Sequence, residues 1–103
     1  MKNQNNQTPE SLRMLLLHVV KLKTEIEGSN DSIVFRSSLR IVLTELEREL
    51  SAKSLNTKKL SQGAFGIFRL VTESSELENS PLGKDLLELR HQIRDFISST
   101  GDN

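Results

Sequence analysis

The sequence lacks cysteine, tryptophan and tyrosine, and each absence excludes a class of structure or function. A chain without cysteine has no disulfide framework, no thiolate nucleophile and no cysteine-ligated zinc site. This composition fits the reducing cytoplasm, which is where we expect the protein to act. Tryptophan and tyrosine are the usual aromatic anchors of protein interfaces. Any interface must therefore use aliphatic side chains and the four phenylalanines.

An excess of one charge and a long apolar run are also missing. Fourteen basic residues balance fourteen acidic ones, so no net field attracts a nucleic-acid backbone or an anionic membrane. The strongest apolar run, residues 14–20, is interrupted by His18. It is far shorter than the roughly 20 residues that a bilayer span needs. We expect neither a membrane helix nor a secretory signal.

What the sequence does contain is typical of a helical globular protein. Hydrophobic residues make up 35% and charged residues 27%, with only two prolines and five glycines. The length is that of one domain with a single core. We predict a disordered polar leader over residues 1–7, one helical domain over 8–99 and a polar tail over 100–103.

Apolar residues recur at alternating steps of three and four, which is a helical period and not the period of a strand. The pattern predicts helices over about 9–27, 31–52, 57–77 and 81–98. The predicted N-caps are Thr8 before Pro9, Asp31 or Ser32, and Ser80 before Pro81, and the third helix is predicted to begin near Asn56 or Thr57. Amphipathic helices with short connections must pack on one another. We therefore expect an all-α, antiparallel up-down-up-down four-helix bundle.

Several apolar side chains lie outside the core stripe of each predicted helix. A helix that is apolar on all sides is either central to a larger core or lies at an interface, and a four-helix bundle has no central helix. We predict a partner or dimer interface, most simply that of a twofold homodimer. The alternative is that distortion of the bundle or its loops covers these side chains. The predicted interface residues are Met14, Leu17, Val20, Val34, Ile41 and Phe65.

Two glycines interrupt the third predicted helix. Gly63 and Gly66 share a side with Leu70 and would let another helix approach closely. Each costs about 1 kcal/mol against alanine inside a helix. We interpret the pair as close-packing residues within the bundle, with a hinge or partner-docking role as the alternative.

The two histidines are the other candidates for a functional site. A histidine on a small four-helix bundle is how phosphotransfer domains present a phosphoacceptor, and Lys21 would lie beside His18. Those domains carry a glycine after the lysine, whereas this chain has Leu22. His18 falls roughly 80° from the core line of its helix, which favours a half-buried packing role. His91 falls on the solvent side of its helix, where the negative charge of a nearby aspartate would repel a phosphoryl group.

No pattern of catalytic or metal-binding residues is present. The single Glu-x-x-His pair, Glu88 and His91, points outward, and neither a nucleophile elbow nor a phosphate-binding loop occurs. We expect no enzyme activity, no metal and no cofactor.

These observations favour a small helical protein-interaction or regulatory module that acts as a cytoplasmic homodimer. The alternative is a histidine phosphotransfer domain that uses His18 or His91. A third possibility, nucleic-acid binding, needs four basic residues to share a face, Lys53, Lys58, Lys59 and Arg94.

Overall fold

The computed structural model describes residues 7–28 and 35–99, and all regular structure in these ranges is helical. The all-α prediction is therefore confirmed. None of these helices combines the length and the apolar character that a membrane crossing requires. The helices number five in the described ranges: α1 (Gln7–Gly28), α2 (Arg36–Ser51), α3 (Thr57–Thr72), α4 (Ser75–Glu78) and α5 (Pro81–Ser99).

Two of the predicted helix starts are confirmed by their caps. The side-chain oxygen of Asn56 accepts a hydrogen bond from the Lys59 backbone N–H at 3.1 Å, which caps α3. The Ser80 hydroxyl accepts from the Gly83 backbone N–H at 3.0 Å, and Pro81 takes the first position of α5. Both caps satisfy backbone donors that have no partner inside the helix.

The predicted start of the first helix is wrong by two residues. Because α1 begins at Gln7, Thr8 lies inside the helix and is not its N-cap. The rest of the predicted leader and the polar tail lie outside the described residues, as do the proposed caps Asp31 and Ser32.

The second helix begins later than the periodicity predicts. Phe35 has a left-handed backbone, with φ 60° and ψ 29°, and a right-handed helix cannot include such a residue. The helix therefore starts at Arg36 instead of residue 31. The Arg36 guanidinium donates to the Ile26 carbonyl oxygen at 2.7 Å, near the end of α1. The Phe35 side chain is 37% exposed and does not belong to the buried core.

The third predicted helix is divided in two. Ser74 adopts an extended backbone that ends the helical run, and its hydroxyl accepts from the Leu77 backbone N–H at 3.2 Å. A serine at this position therefore caps a new helix, the four-residue α4, instead of continuing α3 to residue 77. Leu77 of α4 is buried and anchors this short helix to the core.

The core is formed by side chains from every helix. Each long helix packs on two others, in the order α1, α2, α3, α5 and back to α1, and α4 packs on α3 and α5. This ring is compatible with a four-helix bundle. Among the residues that the structure describes, no polar or charged side chain is buried. The buried side chains are Leu15, Val19, Leu22, Ile26, Leu39, Leu43, Leu46, Leu50, Leu60, Ala64, Ile67, Val71, Leu77, Leu86, Leu89, Ile93 and Phe96.

The short helix α4 approaches α5 very closely at Gly83. A Cβ atom at this position would collide with the main-chain oxygen of Leu77. The oxygen belongs to the backbone, so a side-chain rotation cannot relieve the collision. Gly83 therefore allows α4, which lies between α3 and α5 in the chain, to pack closely on α5.

Candidate functional site

The apolar residues singled out in the sequence lie at the surface of the protein. Met14 is 62% exposed, Leu17 58%, Ile41 61% and Phe65 59%, and Val20 is partly exposed. The sixth residue, Val34, lies outside the described residues. Large apolar side chains exposed to this degree mark a surface that another molecule can cover.

Two of these residues border a groove between α1 and α5. The groove has a volume of about 570 Å³, and Leu15 and Phe96 of the core contribute to its lining. Met14 and Leu17 line its α1 side, whereas Val20 faces outward and away from it. The groove therefore combines an apolar lining with two exposed apolar side chains. We call this region the α1/α5 surface, formed by Met14, Leu15, Leu17, His18, Lys21, Gln92, Asp95 and Phe96.

His18 joins α1 to α5 at this surface. Its Nε2 atom lies 2.9 Å from Asp85 Oδ1, and its Nδ1 atom lies 2.8 Å from Gln92 Oε1. The Gln92 amide also donates to Glu88 Oε2 at 3.3 Å, which is consistent with its oxygen facing the histidine. Both ring nitrogens therefore have an oxygen partner on α5, so the imidazole bridges two side chains of that helix.

The position of His18 agrees with the packing role and does not favour phosphotransfer. Its side chain is only 15% exposed, and both ring nitrogens have partners on α5. A phosphoryl donor would have to displace Asp85, and the carboxylate would repel it. Lys21 is exposed on the same side of α1. Use of His18 as a phosphoacceptor stays a prediction without a structural observation in its favour.

Charges of both signs lie on the two sides of the α1/α5 surface. On α1, Lys21 is exposed and forms no ion pair within the described ranges, and Glu25, four residues later on the same helix face, is also exposed. On α5, Asp95 is exposed and lies 3.5 Å from His91 Nε2, while Lys84 and Glu88 are exposed four residues apart. Neither side of the surface therefore carries charge of one sign only.

The other exposed apolar residues do not belong to this surface. Ile41 borders two shallow grooves between α2 and α3, which also contain Gly63 and Gly66. Phe65 lies on α3 and lines none of these grooves. Because the α2/α3 seam is opposite the α1/α5 seam in the ring, the predicted interface residues form separate groups. A single twofold interface cannot cover both seams.

The two glycines of α3 differ in their surroundings. A Cβ at Gly63 would lie 2.6 Å from Leu46 Cδ2, whereas a Cβ at Gly66 would lie 3.6 Å from the nearest Val42 atom. The helix continues through both positions. This geometry supports internal packing for Gly63 and gives no sign of a hinge.

The remaining predicted residues do not converge on a site. His91 is exposed, as its position on the helix predicts. Lys59 is 3.8 Å from Glu49, so part of the basic cluster near the start of α3 is neutralised. In the part of the chain that the structure describes, no three metal-ligating side chains lie together.

Comparisons of the chain with protein families, curated proteins and solved structures yield no match.

Proposed function

We propose that this chain is a helical protein-interaction module that associates with a second copy of itself through the α1/α5 surface. The observation that supports it is the exposure of Met14 and Leu17 beside a groove lined by core side chains. Fully burying a side chain of this size contributes about 1.5–3 kcal/mol, and covering the exposed 62% of Met14 and 58% of Leu17 contributes a corresponding part of it. In a twofold dimer the same patch of each copy is buried, so Met14 and Leu17 are covered in both copies.

The charge of the chain supports self-association over binding to a strongly charged partner. Its formal net charge is zero at pH 7, so two copies do not repel each other over long distances. A polyanion such as nucleic acid would gain little, since the exposed basic residues are interspersed with acidic ones. A second copy also carries charges of both signs around the same surface.

The proposal includes the up-down-up-down order of the four long helices. Four contacts support antiparallel neighbours, because the residue numbers rise on one helix as they fall on the next. Lys23 lies 2.7 Å from Glu47, while Arg40 lies 3.7 Å from Glu27. On the next seam, Lys59 contacts Glu49 and Gly63 faces Leu46. The same order would place the start of α1 beside the end of α5.

The first test is the solution mass of the parent and of two charge substitutions. Multi-angle light scattering across a range of concentrations is expected to show a parent dimer and a folded Leu17→Glu monomer. Ile41→Glu is the matched control, because Ile41 is as exposed as Leu17 but lies on the opposite seam. The control variant is expected to stay dimeric, and far-UV circular dichroism verifies that both variants fold.

Two results would contradict the proposal. A parent that is monomeric at every concentration would show that the α1/α5 surface does not mediate self-association. A dimer that Ile41→Glu dissociates and Leu17→Glu does not would place the interface on the α2/α3 seam instead.

A further inference from the structure

We propose that the surface between α3 and α5 binds a short acidic segment of another protein that also carries an apolar side chain. Phe65, which is 59% exposed, lies on this surface beside basic residues of both helices. The surface is separate from the α1/α5 groove, so binding there does not depend on the proposed self-association. We call it the α3/α5 surface, formed by Lys58, Ser61, Phe65, Phe68, Arg90 and Arg94.

The side of α3 that faces α5 is identified by Phe68. The guanidinium carbon of Arg90 lies 4.5 Å from the centre of the Phe68 ring, as in a cation–π contact. The side that carries Gly63 and Gly66 faces α2 instead. Helical spacing places three exposed residues in the same row as Phe68, at three, seven and ten positions before it. They are Phe65, Ser61 and Lys58.

On α5 the matching row contains Arg90 and Arg94, which lie about one turn apart on the same face. In the antiparallel order proposed above, three residues backwards from Phe68 correspond to three residues forwards from Arg90. Arg94 therefore lies within about 1.5 Å of the level of Phe65 along the helices. The exposed ring and the exposed guanidinium face solvent at the same level, one on each side of the seam.

The charges of the α3/α5 surface are of one sign, unlike those around the α1/α5 surface. The helix α3 contains no acidic residue. On α5, Asp85 and Asp95 lie on the side that faces α1. Glu88 lies on that side too, since it contacts Gln92, which lines the α1/α5 groove. The two rows of the α3/α5 surface therefore carry basic charge that no acidic neighbour in the same row offsets.

The chemistry of this surface calls for carboxylates beside an apolar group. Lys58, Arg90 and Arg94 form no ion pair within the ranges that the structure describes. A guanidinium binds a carboxylate through two parallel N–H donors. Stacking on Phe68 occupies the face of the Arg90 guanidinium and leaves its in-plane donors for such a contact. Because this group is positioned before binding, less side-chain entropy is lost, and Phe65 supplies the apolar contact.

The extent of the surface favours a short peptide over a nucleic-acid strand. From Lys58 to Phe68 the helix rises about 15 Å, which an extended chain of about five residues spans. Beyond Phe68 the seam reaches α4, where Glu76 and Glu78 are exposed. A nucleic-acid strand needs phosphate contacts along its length and several exposed rings for base stacking. Phe65 is one such ring, whereas Phe68 is half-buried with a guanidinium stacked on it.

Selection from a displayed library of random peptides tests the chemistry of the partner. Peptides retained by the parent are expected to be enriched in aspartate and glutamate together with leucine or phenylalanine. Selection on Arg94→Glu is expected to lose this enrichment, because the substitution places a carboxylate where that of the peptide must lie. Arg13→Glu is the matched control, since it makes the same charge change at an exposed arginine of α1.

Fluorescence anisotropy with one labelled peptide from the selection measures the separate contributions. Arg94→Glu is expected to raise the dissociation constant by about tenfold at low salt, and added salt is expected to weaken binding to the parent. Phe65→Ala is expected to raise it by about fivefold, because the ring no longer covers the apolar side chain of the peptide. Ile41→Ala is the matched control, since Ile41 is as exposed as Phe65 but lies on α2. Far-UV circular dichroism verifies that each variant folds.

Three results would overturn the proposal. The first is a selection that does not enrich acidic peptides, or acidic peptides that bind Arg94→Glu as tightly as the parent. The second is a labelled oligothymidylate that binds the parent more tightly than the peptide does, which would identify nucleic acid as the occupant. The third is a parent dimer that Phe65→Ala dissociates, which would show that a second copy covers the α3/α5 surface.

Discussion

At the scale of single residues, His18 is the polar side chain that connects α1 and α5. Hydrogen bonds to partly buried groups contribute about 1 kcal/mol each, and a buried group left without its partner costs more. Because His18 is mostly buried and contacts two side chains of α5, its removal should affect how the helices pack. Asp85 is about one third exposed, with 32% of its side chain accessible, so solvent weakens its part of the interaction.

A double-mutant cycle measures this connection. We expect His18→Ala and Asp85→Ala to show a coupling of about 1 kcal/mol in urea unfolding. The matched control is the exposed pair His91 and Asp95, four residues apart on α5 and 3.5 Å apart. Its coupling is expected to stay below about 0.5 kcal/mol. Additive effects at His18 and Asp85 would show that the contact does not join the helices.

The sequence predicts the half-buried position of His18 but not its partners. Its angle on the helix follows from the helical period, and that part depends only on local geometry. Its contacts with Asp85 and Gln92, which lie 67 and 74 residues further along the chain, depend on the register of α1 against α5. No periodicity in one sequence specifies such a register.

At the scale of helices, the two glycines of α3 show how closely α2 and α3 approach each other. Alanine at Gly63 would overlap Leu46, which is buried and has little room to move. Alanine at Gly66 would make ordinary van der Waals contact with Val42. The two positions lie in the same helix and share the same gain in intrinsic helix propensity, so they form an internal comparison.

The two alanine substitutions are expected to change stability in opposite directions. Overpacking costs about 1–3 kcal/mol and outweighs the propensity gain at Gly63. Gly66→Ala is expected to stabilise the protein by about 0.5–1 kcal/mol, because there the gain is unopposed. Thermal unfolding followed by circular dichroism measures both. Stabilisation by Gly63→Ala would mean that the Leu46 side chain can move aside without cost.

The helical periodicity predicts most of the core but misplaces the starts of α1 and α2 and the end of α3. The apolar stripes identify the buried side chains of the long helices, because burial follows the 3.6-residue repeat. The boundary at Phe35 depends on a left-handed backbone that phenylalanine rarely adopts. The break at Ser74 depends on a serine that can serve either as a helical residue or as a cap. Neither the left-handed residue nor the choice between these two roles of serine is visible in the apolar periodicity.

At the scale of the whole molecule, the exposed apolar residues form groups on opposite seams. Their exposure is predicted by the same helical period that defines the core, since they lie outside the core stripe. Their division between the two seams depends on the order in which the helices pack around the ring. The sequence alone does not specify this order. One seam can serve self-association while the other stays accessible to a different molecule.

Self-association through the α1/α5 surface would couple folding to concentration. Binding that occurs only in the folded state stabilises that state by mass action. The melting temperature of the parent is expected to rise over about a hundredfold increase in concentration, whereas that of Leu17→Glu stays constant. Far-UV circular dichroism follows the transition. A melting temperature that does not change for the parent would indicate a monomer.

The contact between Gly83 and the main-chain oxygen of Leu77 limits how this protein can evolve. Any side chain at position 83 collides with backbone, and no neighbouring substitution creates the missing space without moving the α3 to α5 connection. Descendant sequences should therefore retain glycine at this position even where the surrounding surface diverges. A Cβ atom at position 66 meets no such collision. Related sequences are therefore expected to vary among small residues at position 66 but not at position 83.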